Sequence, residues 1–379
     1  MFNVRDLNRN AFMLEGSLAF RGYDWWWHSF TAVNATTGEK RQFFIEYFTC
    51  NPAWGRDEPI LGQLHENKLN GIAPSYLMVK AGCWGEEHCQ LHRFFAWEDV
   101  LMHAEAPFVI KAGDCYASDR GLRGSIDITE EEAMQHPEWM CDSGHMSWSL
   151  TMDKKIAFNV GYGASTPFRK AKAFEMYWHA DGIKTLYRGT IMFNGQQYNV
   201  IPEMSYGYAD KNWGKDFTSP WVWLSSCKMK SRLTGKVLNN SAFDIGGGRP
   251  KIYFLPLDRK LLGGLYYEGT EYEYNFSKPW TLPQTKFAAK ETDDAILWHV
   301  RMANKDSVMD VRVKCLKKDM IWANYEAPDG SKRHNRLWNG GNGRGNIKLY
   351  EKKDGTLTLV DDIIVSNIGC EYGEFDKNK

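Results

Sequence analysis

Asp210 lies in a stretch whose composition suits acid chemistry. The run Tyr206-Gly207-Tyr208-Ala209-Asp210-Lys211-Asn212-Trp213-Gly214-Lys215-Asp216-Phe217, continued by Pro220-Trp221-Val222-Trp223, places a carboxyl among Tyr and Trp rings. Enclosure by rings desolvates a carboxyl, raises its pKa and lets it hold a proton near neutral pH. Glu203 is the nearest carboxylate before Asp210 and His179 the nearest imidazole; either is an alternative acid, or a base for the final proton. Asn212 is placed to orient the acid or a water. The same residues also suit a structural end, with Asp210 capping a turn and Trp213 plugging a seam.

The elements that position this stretch read as β. Gly22 to Val33, a turn at Asn34 to Lys40, and Gln42 to Thr49 form a hairpin of aromatic and β-branched residues. By the two-residue period, Asp24, Trp26 and His28 share one face, and Glu46 shares a face with Phe44 and Phe48. Residues 50 to 75 read as a long connection. Short strands follow, including Met146 to Met152 and Ala157 to Gly161, and Thr129-Glu130-Glu131-Glu132 signals a short helix ending before Pro137. A meander is predicted next: Ala173 to His179, a turn at Ala180-Asp181-Gly182, Ile183 to Phe193, a turn at Asn194-Gly195, then Gln197 to Pro202. After Trp223 about eight more short strands are expected, with the glycine runs Gly246-Gly247-Gly248 and Gly340 to Gly345 as loops. The fold class is therefore all-β, with one antiparallel unit over 1–215 and a second over 216–379.

Composition narrows the function classes. Lys plus Arg and Asp plus Glu are 47 each, which gives no basic footprint for nucleic acid. Aromatic residues reach 14%, with 16 Trp, enough to line a pocket or build stacking platforms. The eight cysteines form no CxxC pair, and Cys83, His88, Cys89 and His92 match no common zinc spacing, so neither a metal nor another cofactor is expected. The glycine runs lack the Lys-Ser/Thr ending of a phosphate loop. No apolar run has the length of a signal peptide or membrane span, which reads as a soluble cytoplasmic protein.

Three segments carry a resemblance. Tyr23-Asp24-Trp25-Trp26-Trp27-His28 is similar to a Phe-Glu-Gly-Trp-Tyr-Phe-Lys segment; Asp210-Lys211-Asn212-Trp213-Gly214, with Phe217 and Trp221-Val222-Trp223, to Glu-Lys-Asn-Trp-Gly followed by a Trp-rich strand. Gly369-Cys370-Glu371-Tyr372-Gly373 is similar to a Val-Glu-Phe-Gly ending. These belong to the tocopherol cyclase-like family, related to lipocalin-like carotenoid hydratases and kievitone hydratase. Asp in place of Glu and Trp25 in place of Gly depart from the first segment. The resemblance implies two lipocalin-like β domains side by side, with a hydrophobic pocket where they meet that takes prenylated, terpenoid or polyphenolic substrates.

Protonating an alkene creates a carbocation, which calls for an acid held neutral by apolar surroundings and for electron-rich rings around the positive charge. Asp210 is the candidate acid, with Trp213, Tyr206, Tyr208 and Trp25 as cation-facing rings; Asp24, Trp27, Glu46, Trp221 and Trp223 complete the expected substrate contacts. Two other classes stay open: a carrier of hydrophobic ligands, and a carbohydrate-active protein using Glu46 and Asp210 as its carboxylate pair.

Overall fold

The computed structural model describes residues 1–103, 105, 107–158, 173–253, 255–331 and 334–373. Two antiparallel sheets carry nearly all of it. The first runs from Tyr23 to Gly214 and the second from Trp221 to Gly373. Both curl around their own apolar interior. Trp26, Ile45, Tyr47, Ile110, Trp148 and Tyr187 fill the first, and Val222, Phe243, Trp298, Val311, Ile347 and Ile363 the second. The all-β expectation, with two antiparallel units side by side, holds.

The predicted hairpin is Tyr23–Asn34 against Lys40–Cys50, with Trp27 opposite Glu46 and Trp25 opposite Phe48. Strand Gly207–Gly214 wedges between Tyr23–Asn34 and Met176–Phe193 and pairs with both. It thus carries Asp210 into the middle of the sheet. The predicted helix is Glu130–Gln135, capped reciprocally by Thr129 and Glu132.

Other expectations are corrected. Asp181-Gly182 is a bulge inside the continuous strand Met176–Phe193, because the Lys154 ammonium binds Asp181 in the interior and holds the strand on course. Asn194-Gly195 is a true turn, with both residues at positive φ. The glycine runs lie in strands Ala242–Gly248 and His334–Lys353, not loops. Glycine is required there for close packing: a Cβ on Gly341 would lie 2.4 Å from the Trp84 ring. The segment 50–75 contains the short helix His65–Asn70 and one bridge between Ile60 and Ser75. The expected strand Ala157 to Gly161 forms the end of Gly144–Phe158, and its last three residues lie outside the described ones.

Residues before the first strand seal one end of the first sheet's interior. A helix, Val4–Asn8, leads to Asn10, whose carbonyl accepts from the Trp26 indole at 3.3 Å. The Met13 N–H then donates to Asp24 at 2.8 Å. Among the described residues no helix is long and apolar enough to cross a membrane. Cys83 and Cys89 are buried free thiols opposite each other on neighbouring strands, and His92 contacts the Trp139 carbonyl at 2.7 Å. Among the described residues no cluster of His, Cys, Asp or Glu is arranged to hold a metal.

Candidate active site

Strand Gly207–Gly214 is buried along its whole length, so its two faces meet different interiors. Lys211 and Trp213, opposite Trp26 and Asp24, share the other face: Lys211 lies over the Trp26 ring of the first sheet's interior, and Trp213 joins Phe174 and Tyr177 in a separate cluster. Tyr208, Asp210 and Asn212, on the alternate positions, face a third apolar cluster between the two sheets. Trp25, Trp27, Phe44, Phe48 and Trp178 of the first sheet meet Trp221, Trp223, Tyr266, Tyr325 and Leu337 of the second in that cluster.

Asp210 opens on a small cavity of about 20 Å³ in this seam, room for one water, lined also by Trp25, Trp27, Trp221, Trp223, Tyr325 and Glu371. Its Oδ2 accepts from the Trp178 indole at 2.7 Å and from the Tyr208 hydroxyl at 2.9 Å. Among the described residues its Oδ1 has no hydrogen-bond partner. Burial pushes the Asp210 carboxyl up to about 8, against the opposing pull of those two donors. A neutral Asp210 therefore carries its proton on Oδ1, since Oδ2 already accepts two donors.

A second buried acid stands behind Tyr208. The Tyr208 hydroxyl is 3.0 Å from Asp244 Oδ2, and the Trp223 indole donates to Asp244 Oδ1 at 3.1 Å. Burial, then the charge of Asp210, raises the Asp244 carboxyl well above its ordinary range. On the cavity's other side Glu371 accepts from the Trp221 indole and from the Asn339 amide, whose oxygen is held by Trp84 Nε1 at 2.7 Å. Burial raises Glu371 to about 7, with the two donors opposing.

Glu46 is also in the seam, but it is occupied. It pairs with Lys80 at 3.0 Å, and that ammonium sits 3.8 Å above the Tyr325 ring. Desolvation raises the Glu46 carboxyl and the lysine opposes it. An apolar cleft of about 50 Å³, lined by Phe174, Tyr177, Leu262 and Phe276, lies against the same wall and shares Trp221 with the cavity.

The expected residues thus divide. Asp210, Tyr208, Trp25, Trp27, Trp221 and Trp223 come together around the cavity, with Glu46 nearby. Asn212 is on the right face, but its oxygen is bound by the Tyr23 hydroxyl at 2.7 Å. Trp213 stacks on Tyr177, with ring centroids 5.6 Å apart, in a separate small cluster with Phe174. Asp24 on that same face is ion-paired with Lys211. His179 also points inward, 3.9 Å from Asp6, and burial lowers it to about 3, which keeps it neutral. Glu203 is exposed and Tyr206 half-buried; both border an outer groove of about 800 Å³, and Tyr206 packs against the edge of the seam cluster without lining the cavity. The structure therefore does not bring Glu203, His179, Trp213, Tyr206 or Asp24 to Asp210. Asp244, Trp178, Tyr325 and Asn339 were missed as site residues, since their strands approach Asp210 only through tertiary packing; Glu371 appeared only within the C-terminal motif.

The sequence profile described as tocopherol cyclase-like matches residues 135–374. No curated protein matches the chain. Among solved structures, one described as an AttH from Nitrosomonas europaea has 12% identity and a TM-score of 0.46, with 92% of this chain and 93% of that one covered. The crystal structure of CghA has 9% identity and a TM-score of 0.44, covering 95% of this chain and 90% of that one.

Proposed function

The chain belongs to the tocopherol cyclase-like family, and from that premise we propose that it is a cyclase, hydratase or isomerase that protonates an alkene of a hydrophobic small molecule in the seam cavity. The observation that carries this reading is Asp210: a buried carboxyl, raised to about 8, whose Oδ1 has no hydrogen-bond partner among the described residues, on a cavity walled by four Trp rings and Tyr325. Such an acid keeps its proton at neutral pH yet lies in surroundings where a cation is stabilised by ring faces.

In the proposed step the Asp210 Oδ1–H bond breaks and a C–H bond forms at one alkene carbon, using the π pair. The positive charge develops on the other carbon, among Trp25, Trp27, Trp221 and Trp223. The Asp210 carboxylate left behind is held by the Trp178 and Tyr208 donors. A hydroxyl of the substrate closes a ring onto the cation, or water adds to it; alternatively a neighbouring C–H gives up its proton. Glu371, the less raised of the two cavity acids, takes the released proton. No step draws on a cofactor. Prenylated, terpenoid or polyphenolic compounds match the apolar lining in character, and admitting one requires the seam to open beyond its present volume of about 20 Å³.

Two features weigh against the other readings. The first sheet's interior holds the ion pairs Lys211–Asp24 and Lys154–Asp181, which suits a lipocalin-type carrier lumen poorly. Glu46, the would-be partner of Asp210 in sugar cleavage, is fully buried and neutralised by Lys80. The test is to identify by mass spectrometry the ligand that copurifies with the protein, then compare wild type with Asp210→Asn. Lost turnover with retained binding is expected; undiminished turnover in the variant would sink the proposal.

A further inference from the structure

Tyr208 has one hydroxyl hydrogen and two carboxyl neighbours. Its oxygen lies 2.9 Å from Asp210 Oδ2 and 3.0 Å from Asp244 Oδ2, both hydrogen-bond distances between oxygens. A single O–H cannot donate in both directions, so one of the two contacts must have its hydrogen on the carboxyl. Trp178 already gives a donor to Asp210 Oδ2, and the Trp223 indole, which donates to Asp244 Oδ1, also lies 3.3 Å from the Tyr208 oxygen. The charged and titratable groups acting on this chain of three are themselves acidic: Asp181 and Glu371 act on Asp210, and Asp210 acts on Asp244. Acidic surroundings favour keeping protons in the group.

We propose that Asp244 is a positioning residue that acts through Tyr208 as the charge sink of the acid. In the resting site Asp244 Oδ2–H donates to the Tyr208 oxygen, Tyr208 O–H donates to Asp210 Oδ2, and Asp210 keeps its own proton on Oδ1. This rests on the reading of Asp210 as the acid and explains what happens just after it acts. A fresh carboxylate beside a carbocation can recapture the proton or bond to the cation. The relay prevents both: the Tyr208 O–H bond breaks as an O–H bond forms on Asp210 Oδ2, while the Asp244 O–H bond breaks and its proton moves to the Tyr208 oxygen. Asp210 is neutral again, and the negative charge rests on Asp244, held by Trp223 and Tyr208. Once product leaves, Glu371 gives the proton it took to a water, which passes one on to Asp210 Oδ1, and the Oδ2 proton returns through Tyr208 to Asp244. Atoms and charge balance over the cycle, and the carboxyl need not rotate.

The test uses infrared spectroscopy of the full-length protein without ligand, following the carbonyl bands of neutral carboxyls through a pH titration. Asp244→Asn is expected to remove one neutral-carboxyl band at pH 6, and Asp210→Asn a different one. Tyr208→Phe, which keeps the ring, is expected to shift both bands and to raise the Asp210 midpoint by about one to two pH units, the loss of one hydrogen bond to a carboxylate. The relay is overturned if Asp244→Asn removes no band, or if Tyr208→Phe leaves both bands in place. Failure of the acid reading looks different: Asp210→Asn would then remove no band at pH 6.

Discussion

Asp210 and Lys211 are neighbours in sequence whose side chains enter separate interiors, the carboxyl meeting the seam cavity and the ammonium pairing with Asp24 inside the first sheet. Among the described residues Asp210 has no basic partner, whereas Lys211 is neutralised by Asp24. The strand thus serves chemistry on one side and cohesion on the other, and the two roles can be perturbed separately.

Removing the uncompensated acid should stabilise the protein in alkaline solution. Asp210 binds its proton up to about pH 8 in the folded state but only to about pH 4 when unfolded. Between those values the native state binds more protons, so this group's contribution to stability falls as pH rises and is fully lost above about 8. Thermal melts of Asp210→Asn and wild type should show a variant advantage that is largest near pH 9 and shrinks toward pH 5. A constant difference across that range would mean that Asp210 is not raised.

Turnover of the copurifying ligand should follow a narrow bell against pH. The rising limb reports loss of the Glu371 proton near 7 and the falling limb loss of the Asp210 proton near 8, as values of the coupled pair. Glu371→Gln should lower kcat by about 10²- to 10⁴-fold, the usual contribution of a general base, and abolish the rising limb.

Breaking the ion pair on the other face should cost stability with no ligand present. Asp24→Asn leaves Lys211 buried and unpaired, at an expected cost of about 3–5 kcal/mol in urea unfolding. Replacing both, as Asp24→Leu with Lys211→Met, should recover much of that loss, because an apolar pair needs no charge compensation.

Space around the second acid is equally testable. A Cβ on Gly369 would lie 2.3 Å from the Trp223 ring, which donates to Asp244. Gly369→Ala should cost about 1–3 kcal/mol through overpacking. It should also change tryptophan fluorescence as the ring leaves its carboxyl partner. Unchanged emission would indicate that the strands separate and the ring stays.

Local patterns explain what the sequence made legible. The Asn194-Gly195 turn, the Thr129–Glu132 cap and the facing of Asp24, Trp26 and His28 each depend on a few adjacent residues, and each is found. Asp181-Gly182 has the same local signature as a turn, but Lys154 lies in another strand and decides the outcome. Trp213 is instructive, because three residues from Asp210 it must lie on the opposite face of a strand, and the two-residue period already says so. Asp244 and Trp178 reach Asp210 only through the packing of one sheet on the other and the pairing of distant strands, and no local pattern encodes that register.

The seam cluster makes each half of the chain incomplete. Trp25, Trp27, Phe44 and Trp178 from the first sheet are covered by Trp221, Trp223 and Tyr325 from the second. Cleavage between Gly214 and Trp221 would therefore yield two fragments with matching sticky aromatic surfaces. Mixed together, such fragments have one surface on which to complement each other, and only the reassembled pair encloses the acid.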